Sequence, residues 1–137
     1  MGKKKADGKK RVLIIEDSLD FSNLLKFIVE DEGCEGIQFN VNDPDVVTSA
    51  RTHSPVLILT DLALRRKSGL DYIHDLREDP VTKKIPIAIV SGRDLSHREL
   101  LEFEAQGIKV FRKGRVDMKE IKAEVQHYAA AAPPDHG

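Results

Sequence analysis

The sequence predicts an α/β fold in which a five-stranded parallel sheet is doubly wound, with helices on both faces. Short apolar runs of strand length alternate with segments of helical periodicity, and each run ends on a polar residue. Parallel strands need a crossover between them, and the intervening helical patterns provide one. The clearest runs are residues 11–15, 56–60, 85–90 and 110–112.

The segment after the first run predicts a helix that Ser18 or Asp20 caps and Gly33 ends. Residues 35–40 then predict a short second strand, which the sequence marks only weakly. The apolar positions of this first helix recur at helical spacing, and they are Phe21, Leu24, Leu25 and Ile28.

The remaining helices follow the other runs in order. A second helix ends near His53, a third stops at Pro80 because helices avoid the residue before proline, and a fourth stops at Gly107. A last helix follows the fifth strand. The expected inner faces are Val46, Val47 and Ala50 in the second helix, Leu70, Ile73 and Leu76 in the third, Leu100, Leu101 and Phe103 in the fourth, and Ile121, Val125 and Tyr128 in the last.

Composition limits the class of protein. A chain of 137 residues is expected to form one domain, here residues 11–129, between a basic, disordered tail at 1–10 and a C-terminal tail at 130–137. The net charge of −1 gives no field that favours nucleic acid or membranes. Cys34 is the only cysteine, which fits a reducing compartment, and no run approaches a membrane span. We therefore expect a cytoplasmic protein that binds neither DNA nor membrane.

Five polar residues follow the predicted strands where a doubly wound sheet binds its ligands: Glu16, Asp17, Asp61, Ser91 and Lys113. Three carboxylates crowded together need a compensating cation, and an all-oxygen set suits Mg²⁺. A carboxylate beside Mg²⁺ can attack phosphorus and form an aspartyl-phosphate, with an ammonium offsetting the charge on the phosphoryl oxygens. The sequence therefore predicts a site that accepts a phosphoryl group.

These residues resemble the receiver domain of bacterial two-component response regulators, from about Arg11 to Tyr128. The resemblance lies in five features in the right order: residues 12–17 with their acidic pair, residues 57–61, Gly69, residues 85–92, and Lys113. It implies the flavodoxin-like strand order 2-1-3-4-5.

By this resemblance, Asp61 is the phosphoacceptor, Lys113 contacts the phosphoryl group and Ser91 is the switch hydroxyl. Mg²⁺ is bound by Glu16, Asp17, Asp61 and the backbone carbonyl of Ala63. The phosphoryl group comes from a phosphohistidine on a histidine kinase or a histidine phosphotransfer protein. The signal passes to an unidentified protein through the surface formed by the fourth helix, fifth strand and fifth helix. With no effector after the last helix, we expect a stand-alone receiver.

Three positions depart from the pattern of the family. Gly114 replaces the proline that usually follows the lysine, and we expect a trans Lys113–Gly114 bond because a cis bond without proline costs about 2.5–4 kcal/mol. Val110 replaces an aromatic residue that couples phosphorylation to output, and Phe111 should face the other side of the strand. Arg65 replaces a proline that the family often has four residues after the phosphoacceptor. Residues 65–67 make this loop basic, and they either steer an acidic partner or are simply solvated.

Two other functions compete with the receiver hypothesis. Gly114 and Val110 motivate a receiver-like module that binds a partner without being phosphorylated. An Mg²⁺-dependent phosphohydrolase is the other, but such enzymes commonly place a second aspartate two residues after the nucleophile, where this chain has Ala63. Asp17 could also serve only as a helix cap, and Lys113 could pair with Asp61 for structure alone, although clusters of charge at strand ends are more often functional.

Overall fold

A computed structural model describes residues 8–113 and 118–130. Within these residues five parallel strands form one sheet in the order β2-β1-β3-β4-β5, which confirms the predicted fold class. The strands are β1 (Arg11–Ile15), β2 (Glu35–Gln38), β3 (Leu57–Thr60), β4 (Ile87–Ser91) and β5 (Lys109–Arg112). The helices are α1 (Leu19–Asp31), α2 (Val46–His53), α3 (Gly69–Glu78), α4 (His97–Ala105) and α5 (Met118–Ala130), with a 3-10 turn at Thr82–Lys84.

The strand register brings the polar strand ends together. Ile15 is paired with Thr60 across β1 and β3, so Glu16 and Asp61 leave the sheet side by side. Ser91 is paired with Arg112 across β4 and β5, so Lys113 follows directly beside the end of β4. The candidate site therefore lies at the carboxyl edge of the three central strands and β5.

Alternate strand residues bury two separate hydrophobic clusters, one on each face of the sheet. Leu13, Ile58 and Ile89 belong to the cluster under α2, α3 and α4. Ile14, Leu59 and Val90 belong to the cluster under α1 and α5. Strands buried on both faces are expected in a doubly wound sheet, and they explain why each strand is a nearly continuous apolar run.

The end signals of α1 were predicted correctly from the sequence. Ser18 is the N-cap, not Asp20, and its hydroxyl accepts a hydrogen bond from the Phe21 N–H at 3.4 Å. Gly33 has a φ of +83°, a left-handed conformation that costs glycine little and ends the helix. The second strand is shorter than predicted, because pairing with β1 stops at Gln38.

Two predicted inner faces were partly wrong. On α3, Ile73 and Leu76 are buried as predicted, but Leu70 is 48% exposed. Tyr72 is buried in addition, and its hydroxyl donates to the Asp43 carbonyl at 3.0 Å. On α4, Leu100 and Leu101 are 41% and 52% exposed, and only Phe103 enters the core. In both helices the apolar residues outnumber the core positions, so periodicity alone could not decide which ones are buried.

Several predictions fall outside the described residues. These include most of the N-terminal tail (residues 1–7), the geometry of the Lys113–Gly114 bond, and the C-terminal tail beyond Ala130. Among the helices of residues 8–113 and 118–130, none is long and apolar enough to cross a membrane. Cys34 is buried as a free thiol.

Candidate functional site

The Lys113 ammonium lies between two buried carboxylates at the edge of the sheet. Its Nζ donates a hydrogen bond to Asp61 Oδ2 at 3.0 Å and lies 2.9 Å from Glu16 Oε1. The Glu16 side chain is 1% exposed, and that of Lys113 is 21% exposed. The structure thus brings together three of the predicted site residues, each at the end of a different strand.

Local backbone geometry fixes the two carboxylates. Glu16 Oε2 accepts a hydrogen bond from the Ser18 N–H at 2.9 Å, at the start of α1. Asp61 Oδ1 accepts one from the Leu62 N–H at 2.7 Å, and the Ala63 N–H lies 3.4 Å away. One carboxylate oxygen of Asp61 is therefore hydrogen-bonded to the backbone, and the other is hydrogen-bonded to the Lys113 ammonium.

The electrostatics of the cluster follow from burial and pairing. Burial raises the pKa of Glu16, although the contact with Lys113 and the Ser18 N–H act against that shift. Burial alone would lower the pKa of Lys113, but its contacts with Glu16 and Asp61 raise it overall. The ammonium is therefore protonated at neutral pH and supplies a fixed positive charge to the pocket.

Asp17 lies apart from this cluster. Its Oδ2 accepts hydrogen bonds from the Arg65 backbone N–H at 2.9 Å and from Arg65 Nε at 3.4 Å. Three converging carboxylates were predicted, but among the described residues no group of three or more acidic, histidine or cysteine side chains is arranged to hold a metal. The structure therefore does not show the three carboxylates as one group, and Arg65 compensates the charge of Asp17; the set of Mg²⁺ ligands stays a prediction.

The chemistry of the acidic residues nevertheless fits Mg²⁺. Glu16 Oε1 is buried and accepts no hydrogen bond from the described residues, because its contact with Lys113 lacks hydrogen-bond geometry. The Lys113 ammonium, 2.9 Å away, offsets the charge of this oxygen but gives it no directed hydrogen bond, and an oxygen of this kind suits a hard cation. Arg65 binds Asp17 through Oδ2, so the Arg65 side chain competes with a cation for the charge of this carboxylate.

Ser91 is buried at the end of β4 and serves there as a turn residue. Its Oγ accepts a hydrogen bond from the Arg93 N–H at 3.1 Å and lies 3.3 Å from the Arg93 carbonyl. The Lys113 N–H donates to the Ser91 carbonyl at 2.8 Å, which ties the ends of β4 and β5 together. The hydroxyl therefore lies at the correct strand end, bonded to the loop that leads to α4.

The basic loop of residues 65–67 is largely committed to internal contacts. Lys67 Nζ lies 2.6 Å from Asp75 Oδ2, 3.2 Å from the Pro44 carbonyl and 5.2 Å from the Tyr72 ring centroid. With Arg65 bound to Asp17, two of the three cations have intramolecular partners. Paired cations contribute less to the electrostatic field around the protein, which weakens the hypothesis that this loop steers an acidic partner.

Two contributors to the site were not predicted from the sequence. Phe21 was assigned only to the apolar face of α1, yet its ring centroid lies 4.8 Å from Lys113 Nζ. Arg65 was assigned to a solvated or steering loop, and instead it binds Asp17. The sequence offered one indication that these residues lie near the site, namely their closeness along the chain to predicted site residues. Phe21 is four residues from Asp17, and Arg65 is four residues from Asp61.

The positions that depart from the expected pattern can be located in part. Val110 packs against the cluster under α2, α3 and α4, whereas Phe111 packs against the cluster under α1 and α5. The two side chains thus point to opposite faces, as predicted. Gly114 lies outside the described residues.

Comparison with known proteins gives one consistent family. The model of the response regulator receiver domain matches residues 12–126. An uncharacterized 14.6 kDa protein from the sodA1 3' region of Leptolyngbya boryana is 29% identical over 126 residues, which cover 90% of this chain and 93% of that protein. The polar-differentiation response regulator DivK of Brucella anthropi is 34% identical over 83 residues, covering 61% of this chain and 67% of DivK.

Longer relatives and solved structures agree with the match to the receiver domain family. The phosphate regulon transcriptional regulatory protein PhoB of Escherichia coli is 27% identical, but the match spans only 36% of PhoB. The chemotaxis protein CheY4 of Vibrio cholerae superimposes with a TM-score of 0.73 at 17% identity, over 88% of this chain and 98% of that one. At that identity the likeness concerns the fold alone.

Proposed function

Because this chain belongs to the response regulator receiver domain family, we propose that it accepts a phosphoryl group on Asp61 in a two-component pathway. Receiver domains are phosphoacceptors and not classical enzymes, and they interact with histidine kinases or phosphotransfer proteins. The observation that carries the proposal for this chain is the placement of Asp61. One of its carboxylate oxygens is held by a backbone N–H, and the other faces an ammonium.

In the proposed transfer, an Asp61 oxygen attacks the phosphorus of a phosphohistidine. The new O–P bond forms as the P–N bond breaks, and the imidazole leaves with the electron pair and takes up a proton. Lys113 stays within reach of the phosphoryl oxygens and offsets their charge, as a preorganised cation does in other phosphoryl transfers. The Leu62 N–H keeps the carboxylate in a fixed orientation, which reduces the entropic cost of attack.

Receiver domains generally bind Mg²⁺ in their acidic pocket. In this chain, Glu16, Asp17, Asp61 and the backbone carbonyl of Ala63 are the proposed ligands. When bound, the ion supplies positive charge beside the phosphoryl oxygens. Glu16 contributes the buried oxygen that accepts no hydrogen bond from the described residues.

For the output, we propose Ser91 as the switch hydroxyl and the face formed by α4, β5 and α5 as the surface that a downstream protein binds. Leu100 and Leu101 are exposed on α4 of this face. Between β5 and α5 lies an open groove of about 520 Å³, whose lining includes Phe111 and Tyr128. Both features fit a protein partner better than DNA. We further propose that this receiver acts in the cytoplasm.

Intact-mass spectrometry after incubation with acetyl phosphate and Mg²⁺ tests the proposal. The wild-type protein should gain one phosphoryl group, and Asp61→Asn should gain none while remaining folded. Asp20→Asn, an exposed carboxylate on α1, is the matched control and should be phosphorylated normally. Uptake by the Asp61→Asn variant would refute the assignment. If the wild-type protein gains no phosphoryl group from this donor or from a histidine phosphotransfer protein, although Mg²⁺ binds, the module that binds partners without phosphorylation is favoured.

A further inference from the structure

The Lys113 ammonium has a third neighbour besides its two carboxylates, the ring of Phe21. The distance of 4.8 Å from Nζ to the ring centroid lies within the range of a cation–π contact. The two carboxylate contacts, at 2.9 and 3.0 Å, come from Glu16 and Asp61. The ammonium is thus enclosed by two negative charges and one aromatic face.

The first turn of α1 places Phe21 in this position. Ser18 donates its N–H to Glu16 and accepts the Phe21 N–H with its hydroxyl, so one residue links the acidic end of β1 to the ring. The ring also packs against the cluster under α1 and α5. The ring is therefore held by two sets of contacts that do not involve the lysine.

The contact with Phe21 would help to hold the flexible side chain of Lys113 in one position. Its four-carbon chain loses much rotamer entropy when the ammonium is held in one place. The carboxylate of Asp61 cannot hold the ammonium unchanged throughout the proposed reaction, because that carboxylate is the group that becomes phosphorylated. The attraction of the ring does not depend on the state of Asp61, and burial of most of the lysine side chain strengthens it.

We propose that Phe21 is a positioning residue for Lys113: its ring face holds the ammonium beside Glu16 and Asp61, where phosphoryl oxygens would be bound. This inference rests on the proposed function only for its consequence, a faster phosphoryl uptake. The contact itself is a property of the folded protein, and it can be measured separately.

A double-mutant cycle in urea unfolding measures the contact without any phosphorylation. Phe21→Leu keeps apolar volume but removes the ring, and Lys113→Met keeps length but removes the charge. Phe21→Leu should lower the folding equilibrium constant roughly three- to tenfold more in the wild-type background than in the Lys113→Met background. Equal losses in the two backgrounds would overturn the proposal, because the ring would then contribute only to packing.

The rate of uptake from acetyl phosphate tests the consequence. Phe21→Leu should slow uptake roughly three- to tenfold, and Phe21→Tyr, which keeps an aromatic face, should restore most of the rate. Normal uptake in Phe21→Leu, or no recovery in Phe21→Tyr, would overturn the positioning role. If the wild-type protein takes up no phosphoryl group, the proposed function fails, and the unfolding cycle alone still decides whether Phe21 holds Lys113.

Discussion

Gly69 lies against the backbone of Asp61, so close that a Cβ added to Gly69 would be 2.0 Å from the Asp61 carbonyl oxygen and 2.7 Å from the Leu62 Cα. The Gly69 N–H also donates to the Leu62 carbonyl at 2.9 Å. Backbone atoms cannot move aside as a side chain can. The first residue of α3 must therefore be glycine for the loop after Asp61 to keep its shape.

We predict that Gly69→Ala destabilises the protein by about 3 kcal/mol, at the upper end of the cost of overpacking, because the backbone has to shift. Urea unfolding measures this change. Gly92→Ala is the matched control, since its added Cβ would meet the Lys113 side chain at an ordinary 3.5 Å. Equal stability of the two variants would contradict the prediction.

The bond between Arg65 and Asp17 predicts a competition with Mg²⁺. Asp17 is a proposed ligand, but its Oδ2 is bound by the Arg65 backbone N–H and faces Arg65 Nε. Exposed ion pairs contribute about 0–1 kcal/mol, and the Arg65 side chain is largely exposed. Replacing Arg65 with glutamine should therefore tighten Mg²⁺ binding by a factor of about two to five.

Isothermal titration calorimetry with MgCl₂ measures that affinity without phosphorylation. Arg66→Gln is the control, because it removes one charge from the same exposed loop, where none of the described hydrogen bonds or ion pairs involves Arg66. If both variants bind Mg²⁺ equally, the effect is one of net charge alone, and the competition at Asp17 is refuted.

The strand ends are the part of the site that the sequence predicted best. Glu16, Asp61, Ser91 and Lys113 lie at one edge because parallel strands in register end together, and the polar residue after each apolar run marks where its strand ends. The strand order came from the family resemblance, since apolar patterns do not specify which strands are neighbours.

Contacts made by long polar side chains could not be predicted in the same way. Arg65 and Lys67 occupy a loop whose path is set by Gly69. The partner of Arg65, Asp17, is distant in sequence, and no motif marks Asp75 as the partner of Lys67. Phe21 fits the apolar pattern of α1 equally well as a core residue or as a neighbour of Lys113. Only the folded backbone distinguishes these possibilities.

The bonds of the Ser91 hydroxyl to Arg93 lead to a prediction about switching. If Ser91 turns toward a phosphoryl group, its hydrogen bond with the Arg93 N–H must break. In wild-type protein, phosphorylation should then speed hydrogen exchange at that amide. In Ser91→Ala the same amide should exchange at one rate with or without phosphorylation, although Asp61 is still phosphorylated. Ser91→Thr, which keeps a hydroxyl, should restore the difference.

Measurement of amide exchange by NMR, before and after acetyl phosphate treatment, tests this. A phosphorylation-dependent change at Arg93 that persists in Ser91→Ala would show that the loop moves for another reason. Loss of phosphorylation itself in Ser91→Ala would instead give the hydroxyl a role in uptake.

The ion pair of Asp79 with Arg51, which lies away from the candidate site, predicts how the stability of the fold depends on pH. Arg51 binds both carboxylate oxygens of Asp79, at 2.6 and 3.2 Å, and the N–H groups of Val81 and Thr82 bind Oδ2. Chiefly through the Arg51 contact, the pKa of Asp79 falls from 3.8 to about 2. A carboxyl whose pKa is lower in the folded protein stabilises the fold above its unfolded pKa, and this stabilisation is lost as the pH falls through the folded pKa.

Asp79→Asn should therefore be less stable than the wild-type protein at pH 7, and the difference should shrink as the pH falls from 3.8 to about 2. Urea midpoints measured at a series of pH values for both proteins test this. In an Arg51→Gln background the same substitution should show a weaker dependence on pH, because the main partner is gone. A difference that stays constant down to pH 2 would mean that the carboxylate of Asp79 contributes through shape and not through its charge.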